Sequence, residues 1–192
     1  FDIPVDNLYA SPVFAMDIRH HFEDLSKVTI ISPDVGGVAR ARELAKRLNL
    51  GLAIVDKRRS RPGEVDEMTI IGEVEGRTCI IVDDICDTAG TLCKAAGLLK
   101  DNGAEAVHAY ITHGVLSGPA VERVKGSVME SLVITDSIPL SDEARDAHNI
   151  RTVSVAPMMA QAILNVANDT SVSSLFSEQT LRPIYEAFYR FD

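Results

Sequence analysis

Basic residues are scarce in this chain: 19 Lys and Arg stand against 28 Asp and Glu, a formal net charge of −9. That balance excludes a broad electrostatic attraction to nucleic acid or to an anionic membrane, so an anionic substrate must be met by a local cluster of cations. Long apolar runs are missing too. No stretch approaches the roughly eighteen consecutive apolar residues of a membrane helix, and no basic-then-apolar leader is recognisable, so the expected compartment is the cytoplasm. Cysteine is sparse, with Cys79, Cys86 and Cys93 at intervals of seven. This spacing matches neither zinc-ligand nor redox pairs, and reduced, structural thiols without a disulfide framework are expected. There is no internal repeat, no low-complexity tract and no Walker lysine loop. What remains is ordinary for a globular protein with a sizeable core: 192 residues, 46% hydrophobic and 24% charged. The opening Phe1-Asp-Ile-Pro reads as the middle of something, either a processed chain or a piece of a longer one.

The pattern that is present alternates between strand and helix. Val28 to Ser32 is a β-branched run ended by Pro33, followed by Gly36-Gly37 and then by Val38, Ala41, Leu44, Ala45 and Leu48 at helical spacing. Leu52 to Val55 predicts a second strand, running into the basic cluster Lys57-Arg58-Arg59-Ser60-Arg61, and the polar stretch from Arg59 to Glu67 with its Pro62-Gly63 break predicts a mobile loop. Met68 to Val74 and Thr78 to Val82 are further strands. A helix follows with Leu92, Ala95, Ala96 and Leu99 on one face and Asn102-Gly103 at its end. Val107 to Thr112, Leu132 to Thr135 and Thr152 to Val155 complete the strands. Helices are expected at Pro119 to Val124, Pro157 to Val166 and Thr180 to Tyr189, while His20 and His21 read as a polar helix start. Such alternation implies right-handed βαβ crossovers, hence an α/β fold with a mainly parallel sheet flanked by helices. Ligands of such sheets bind at the carboxyl ends of the strands.

Three segments carry candidate chemistry, each just after a strand. Ile81 to Thr91 brings an apolar run to two adjacent carboxylates, Asp83 and Asp84, then through Asp87-Thr88-Ala89-Gly90-Thr91 into a helix. Small residues there let backbone N–H groups converge on an anion at a helix N-terminus, Thr88 and Thr91 add hydroxyls, and the acidic pair suits ribose hydroxyls or a magnesium ion bridging to a diphosphate. An acidic strand-to-helix turn is the plain alternative. Ser32-Pro33-Asp34-Val35-Gly36-Gly37 offers a second anion cradle, with Asp34 as a magnesium ligand, although paired glycines before a helix also serve as a simple turn. The basic run, taken alone, is a solvated face. In a chain this acidic it equally fits cations acting on a transferring phosphoryl group.

Together with Asp-Ile-Pro-Val-Asp-Asn-Leu-Tyr at 2–9, Leu-Ser-Gly-Pro-Ala at 116–120 and Ser-Val-Ser-Ser-Leu-Phe at 171–176, these segments resemble the ribose-phosphate diphosphokinases, or phosphoribosyl diphosphate (PRPP) synthetases, of the bacterial class I type. The resemblance runs from Phe1 to about Phe176 and matches only the C-terminal of that family's two homologous halves. It implies a type I phosphoribosyltransferase-like domain over residues 1–176 and a C-terminal helical extension over 177–192. It also implies transfer of diphosphate from ATP to ribose 5-phosphate, with Mg2+ as cofactor. Asp83 and Asp84 would hold ribose hydroxyls and magnesium, with Asp34 contributing to a magnesium site beside the Gly36-Gly37 diphosphate loop. Asp87, Thr88, Ala89, Gly90 and Thr91 would bind the 5-phosphate, and Lys57 and Arg59 would be the catalytic cations. Ser171, Ser173 and Phe176 match part of a regulatory site for phosphate and ADP. Asp6, Asn7 and Tyr9 would lie near a subunit interface of a homo-oligomer, hexameric in the family. The adenine-binding loop and a magnesium-binding histidine belong to the half this chain does not match.

Two other readings stay open. A phosphoribosyltransferase consuming PRPP would share the Asp83 to Thr91 loop but needs a hood over a nucleobase, for which no segment is spare. A non-catalytic regulatory subunit associated with active synthetase would keep the fold, against which the intact Lys57, Arg59, Asp83 and Asp84 argue. His113, at a strand end, is expected to make structural hydrogen bonds, Met158 and Met159 to fill core, and Tyr185, Phe188 and Tyr189 to pack rather than stack on a ligand.

Overall fold

The computed structural model describes residues 2–58 and 67–188. The elements in chain order are α1 (Ser11–His21), β1 (Val28–Ser32), α2 (Val38–Leu48), β2 (Gly51–Arg58), β3 (Glu67–Ile71), β4 (Thr78–Cys86), α3 (Gly90–Asp101) and β5 (Ala106–Gly114). Then come α4 (Ala120–Lys125), β6 (Ser131–Thr135), α5 (Asp142–Arg145), β7 (Ile150–Val153), α6 (Ala156–Ala167) and α7 (Glu178–Phe188). The seven strands form one sheet in the order β3-β2-β1-β4-β5-β6-β7. Every pairing is parallel except β2 with β3, so the α/β architecture expected from the sequence is the one observed.

Adjacent apolar residues on the central strands point to opposite sides, which is why those strands are continuous Val/Ile runs and not alternating ones. Ile31, Ile81 and Ile111 join Leu92, Ala95, Ala96 and Leu99 of α3 and Ala120, Val121 and Val124 of α4 on one face. Ile30, Ile80 and Tyr110 join Phe14 and Ile18 of α1, Ala41 and Leu44 of α2, and Leu181 and Tyr185 of α7 on the other. The second face also holds a polar tie. Tyr110 donates its hydroxyl proton to Asp17 Oδ2 at 2.7 Å, and Arg151 reaches both Asp17 oxygens, at 3.0 and 2.5 Å. This joins α1 to β5 and β7, and burial together with the Asp17 charge pushes the Tyr110 hydroxyl far above its ordinary pKa.

Several boundaries differ from the sequence reading. His20 and His21 close α1 and do not start a helix, placing imidazoles at the helix C-terminus. β3 stops at Ile71, short of the expected Val74, because Gly72 turns at φ +120° and a Cβ there would stand 2.7 Å from that of Ala53. β2 continues through Lys57 and Arg58, paired backbone to backbone with Met68 and Glu67, so the start of the basic cluster belongs to a strand. β4 runs through the acidic pair to Cys86 because β5 carries a matching length of partner, with Asp83 beside Ile111 and Cys86 beside Gly114. The expected loop over Arg59 to Glu67 lies, except for Glu67, outside the described residues.

Candidate functional site

Strand order reverses at β1, with β2 on one side of it and β4 on the other. The crevice beyond the carboxyl ends of β1 and β4 is therefore the topological switch point, where ligands of doubly wound sheets bind. Two of the three candidate segments open into it, and β2 ends at the same edge.

The glycine segment leaves β1 through Ser32 and Pro33. Asp34 Oδ1 accepts a hydrogen bond from the Gly37 amide at 2.7 Å, and the Ser32 hydroxyl donates to the Asp34 carbonyl at the same distance. A Cβ on Gly37 would lie 3.0 Å from Ser32 Oγ and 3.4 Å from Asp34 Oδ1. Glycine is needed for this close approach, not for φ, since Gly37 has an ordinary φ of −80°.

The acidic pair lies near the end of strand β4, Asp83 half-buried and Asp84 exposed. Arg40, in the first turn of α2, donates to Asp83 Oδ1 at 2.7 Å and to Asp84 Oδ2 at 2.5 Å. Burial raises the Asp83 pKa above the usual carboxylate range, with the Asp84 and Asp34 charges adding to the rise. The Asp84 amide and the Arg40 guanidinium oppose it. Sequence reading missed Arg40, which is one of several cations on an amphipathic helix and has no local signature.

The Asp87 to Thr91 loop is braced from the connection between β5 and α4 and from α4 itself. Ser117 donates its hydroxyl to Asp87 and its amide to the Asp87 carbonyl, while Leu116 N–H bonds the Cys86 carbonyl. Arg123 of α4 donates to the Thr88 carbonyl at 2.8 Å. Ala89 takes a left-handed φ of 57° and ends with no side-chain cap on α3. The first amides of α3 have no intrahelical acceptor, and together with the helix dipole they offer donors suited to an anion. Leu116, Ser117 and Arg123 are thus supporting residues whose role depends on β5 lying beside β4.

The remaining candidates fall elsewhere. Lys57 is on β2 at the edge of the sheet that bounds the crevice, and Arg59 lies outside the described residues. Ser171 accepts from the Ser173 amide at 3.2 Å in a short turn that ends at Phe176. The Phe176 ring meets Tyr9 at 5.6 Å between centroids and its carbonyl accepts from Arg47, at the far end of α2 from the crevice. Tyr9, from the N-terminal segment singled out with Asp6 and Asn7, is thereby joined to the 171–176 segment. His113 bonds Ser137 at 2.9 Å, the structural role expected of it. The thiols of Cys79 and Cys86 are pushed up to about 11 by burial, in keeping with inert cysteines.

Among the described residues no three His, Cys, Asp or Glu side chains gather into a metal cage, so Asp34, Asp83 and Asp84 do not form one. The site still fits magnesium in its usual mode. Two carboxylate oxygens from neighbouring residues already converge on one cationic group, and Mg2+ takes one or two carboxylates with water and substrate oxygens completing its shell.

With this geometry, residues 58–177 match the phosphoribosyl synthetase-associated domain. The chain belongs to that family. It is 70% identical over 191 residues to the ribose-phosphate pyrophosphokinase of Cereibacter sphaeroides, an alignment covering 99% of this chain and 57% of that protein. The phosphoribosylpyrophosphate synthetase of Mycobacterium smegmatis superposes with a TM-score of 0.80 at 34% identity, over 88% of this chain and 54% of that one. An adenine phosphoribosyltransferase structure, 22% identical, shares the fold with a TM-score of 0.52 over 62% of this chain and 75% of its own. The chain spans about half the length of the curated relatives it matches. Among the described residues no helix is long and apolar enough to cross a membrane.

Proposed function

We propose that this chain is the ribose 5-phosphate-binding portion of a ribose-phosphate pyrophosphokinase, which transfers diphosphate from ATP to ribose 5-phosphate and yields PRPP and AMP. The observation that carries the reading is the juxtaposition, at one switch point, of an acidic strand end and an uncapped helix N-terminus, in a chain 70% identical to an enzyme of that name. A sugar phosphate needs both: carboxylates for its ring hydroxyls and convergent N–H donors for its phosphate.

In the reaction, the anomeric hydroxyl oxygen bonds to the β-phosphorus of ATP. The bond from that phosphorus to the α–β bridging oxygen breaks, AMP leaves with the bonding pair, and the hydroxyl proton is released. The amides at Thr88 to Thr91 hold the 5-phosphate, and Asp87, locked by Ser117, keeps that loop in shape. Asp83 and Asp84 orient the ribose. Lys57 and Arg59 act on charge that develops on the transferring group. Magnesium, held by Asp83 and Asp84 with Asp34 nearby, would neutralise charge on the phosphate oxygens. Phosphate and ADP are proposed as effectors at Ser171, Ser173 and Phe176, in a cytoplasmic homo-oligomer.

Replacing Asp87 with Ala removes the Ser117 brace without touching the core. Ribose 5-phosphate binding in the presence of magnesium should weaken by about tenfold or more, the order of a lost charge-assisted hydrogen bond, while the melting temperature changes little. Isothermal calorimetry reads this directly. An unchanged affinity would take the loop out of the site.

A further inference from the structure

Arg40 stands third in α2, in the turn where the helix dipole disfavours a cation, so something other than the helix holds it there. Its guanidinium reaches across the crevice to a strand 43 residues away in sequence and bonds one oxygen from each of two carboxylates. The same group also overhangs the glycine segment, since a Cβ on Gly37 would come within 3.5 Å of its Nη1. It therefore bridges the diacid and the glycine loop, with its side chain about one-third exposed.

We propose that Arg40 is an exchangeable counter-ion: it neutralises Asp83 and Asp84 in the metal-free protein, yields them to a divalent cation, and is left beside the Gly36-Gly37 loop to meet the phosphate oxygens that arrive with the metal. The proposal rests on the ribose-phosphate reading of this crevice and adds to it a positioning residue. The physical argument is competition. A divalent cation and the guanidinium are drawn to the same two adjacent carboxylates, of which Arg40 already holds one oxygen each, so each weakens the other's hold on the pair. Released, Arg40 keeps a planar array of donors suited to phosphate oxygens.

The test uses Mn2+ as metal probe, read by paramagnetic resonance or calorimetry on the chain without substrate, and inorganic diphosphate as anion probe. Arg40→Gln should bind Mn2+ about three- to tenfold more tightly than the parent, because a partly exposed competing cation has been removed. It should bind diphosphate about tenfold more weakly in the presence of Mg2+. Arg40→Lys should fall between. Unchanged or weaker Mn2+ binding by Arg40→Gln, in a variant whose circular dichroism matches the parent, would overturn the exchange, since a merely structural arginine would leave the carboxylates less ordered. Asp83→Asn/Asp84→Asn separates this from the function itself. If the double variant binds Mn2+ as the parent does, the diacid is not the metal site and both ideas fall. If it loses the metal while Arg40→Gln does not gain affinity, only the exchange fails.

Discussion

At Asp83 the charged carboxylate is set against the stability of the fold. Burial holds its pKa above the ordinary value near 3.9, so the folded protein takes up that proton at higher pH than the unfolded chain does. The stabilising contribution of this group is complete below the unfolded value and is lost as pH rises through the folded one. At neutral pH the ionised carboxylate therefore costs stability, even with Arg40 beside it. Asp83→Asn, nearly isosteric and uncharged, should melt at a higher temperature than the parent at about pH 7, and the gap should narrow as the pH falls through the raised folded-state pKa and Asp83 itself becomes neutral. Thermal unfolding across that range checks it, and a variant that melts lower at neutral pH would contradict the assignment.

Among elements, α1 is held to the sheet by the Asp17, Arg151 and Tyr110 tie as well as by Phe14 and Ile18. Its parts differ in what they leave behind when removed. Tyr110→Phe deletes one donor and leaves the carboxylate still bonded by Arg151, a loss of about 1 kcal/mol. Asp17→Ala strands a half-buried guanidinium and a buried phenol together, a loss of about 3–5 kcal/mol, since breaking one side of a buried pair costs more than the pair contributes. Denaturant unfolding should rank the two variants in that order, and equal losses would mean that the ion pair is solvated. Neither substitution touches the crevice.

For the whole molecule, the outer side of α6 is an apolar surface that the described residues leave uncovered. Met159, Ile163 and Val166, at one helical face, are 46%, 67% and 62% exposed, and Leu164 beside them is 53% exposed. An apolar stripe of this kind on one chain signals association. Sedimentation velocity should show concentration-dependent self-association of the chain, and Ile163→Glu should shift it toward monomer by at least severalfold in dissociation constant, with little change in melting temperature because the side chain is mostly exposed. Association that persists unchanged would place the contact elsewhere.

What the sequence by itself determined was local: strands from β-branched runs such as Val28 to Ser32, helices from apolar spacing such as Leu92, Ala95, Ala96 and Leu99, and the passage from strand to helix across the Asp83 to Thr91 segment. These follow from side-chain periodicity and from residue types adjacent in the chain. Other features depended on which strand lies beside which. The acidic pair lies on a strand because β5 continues alongside it, Ser117 braces Asp87 across thirty positions, and Arg40 meets Asp83 and Asp84 only because β1 and β4 are parallel neighbours. No local pattern marks such partners, since a polar side chain on an amphipathic helix looks solvated until tertiary packing brings a charge of opposite sign within hydrogen-bonding reach.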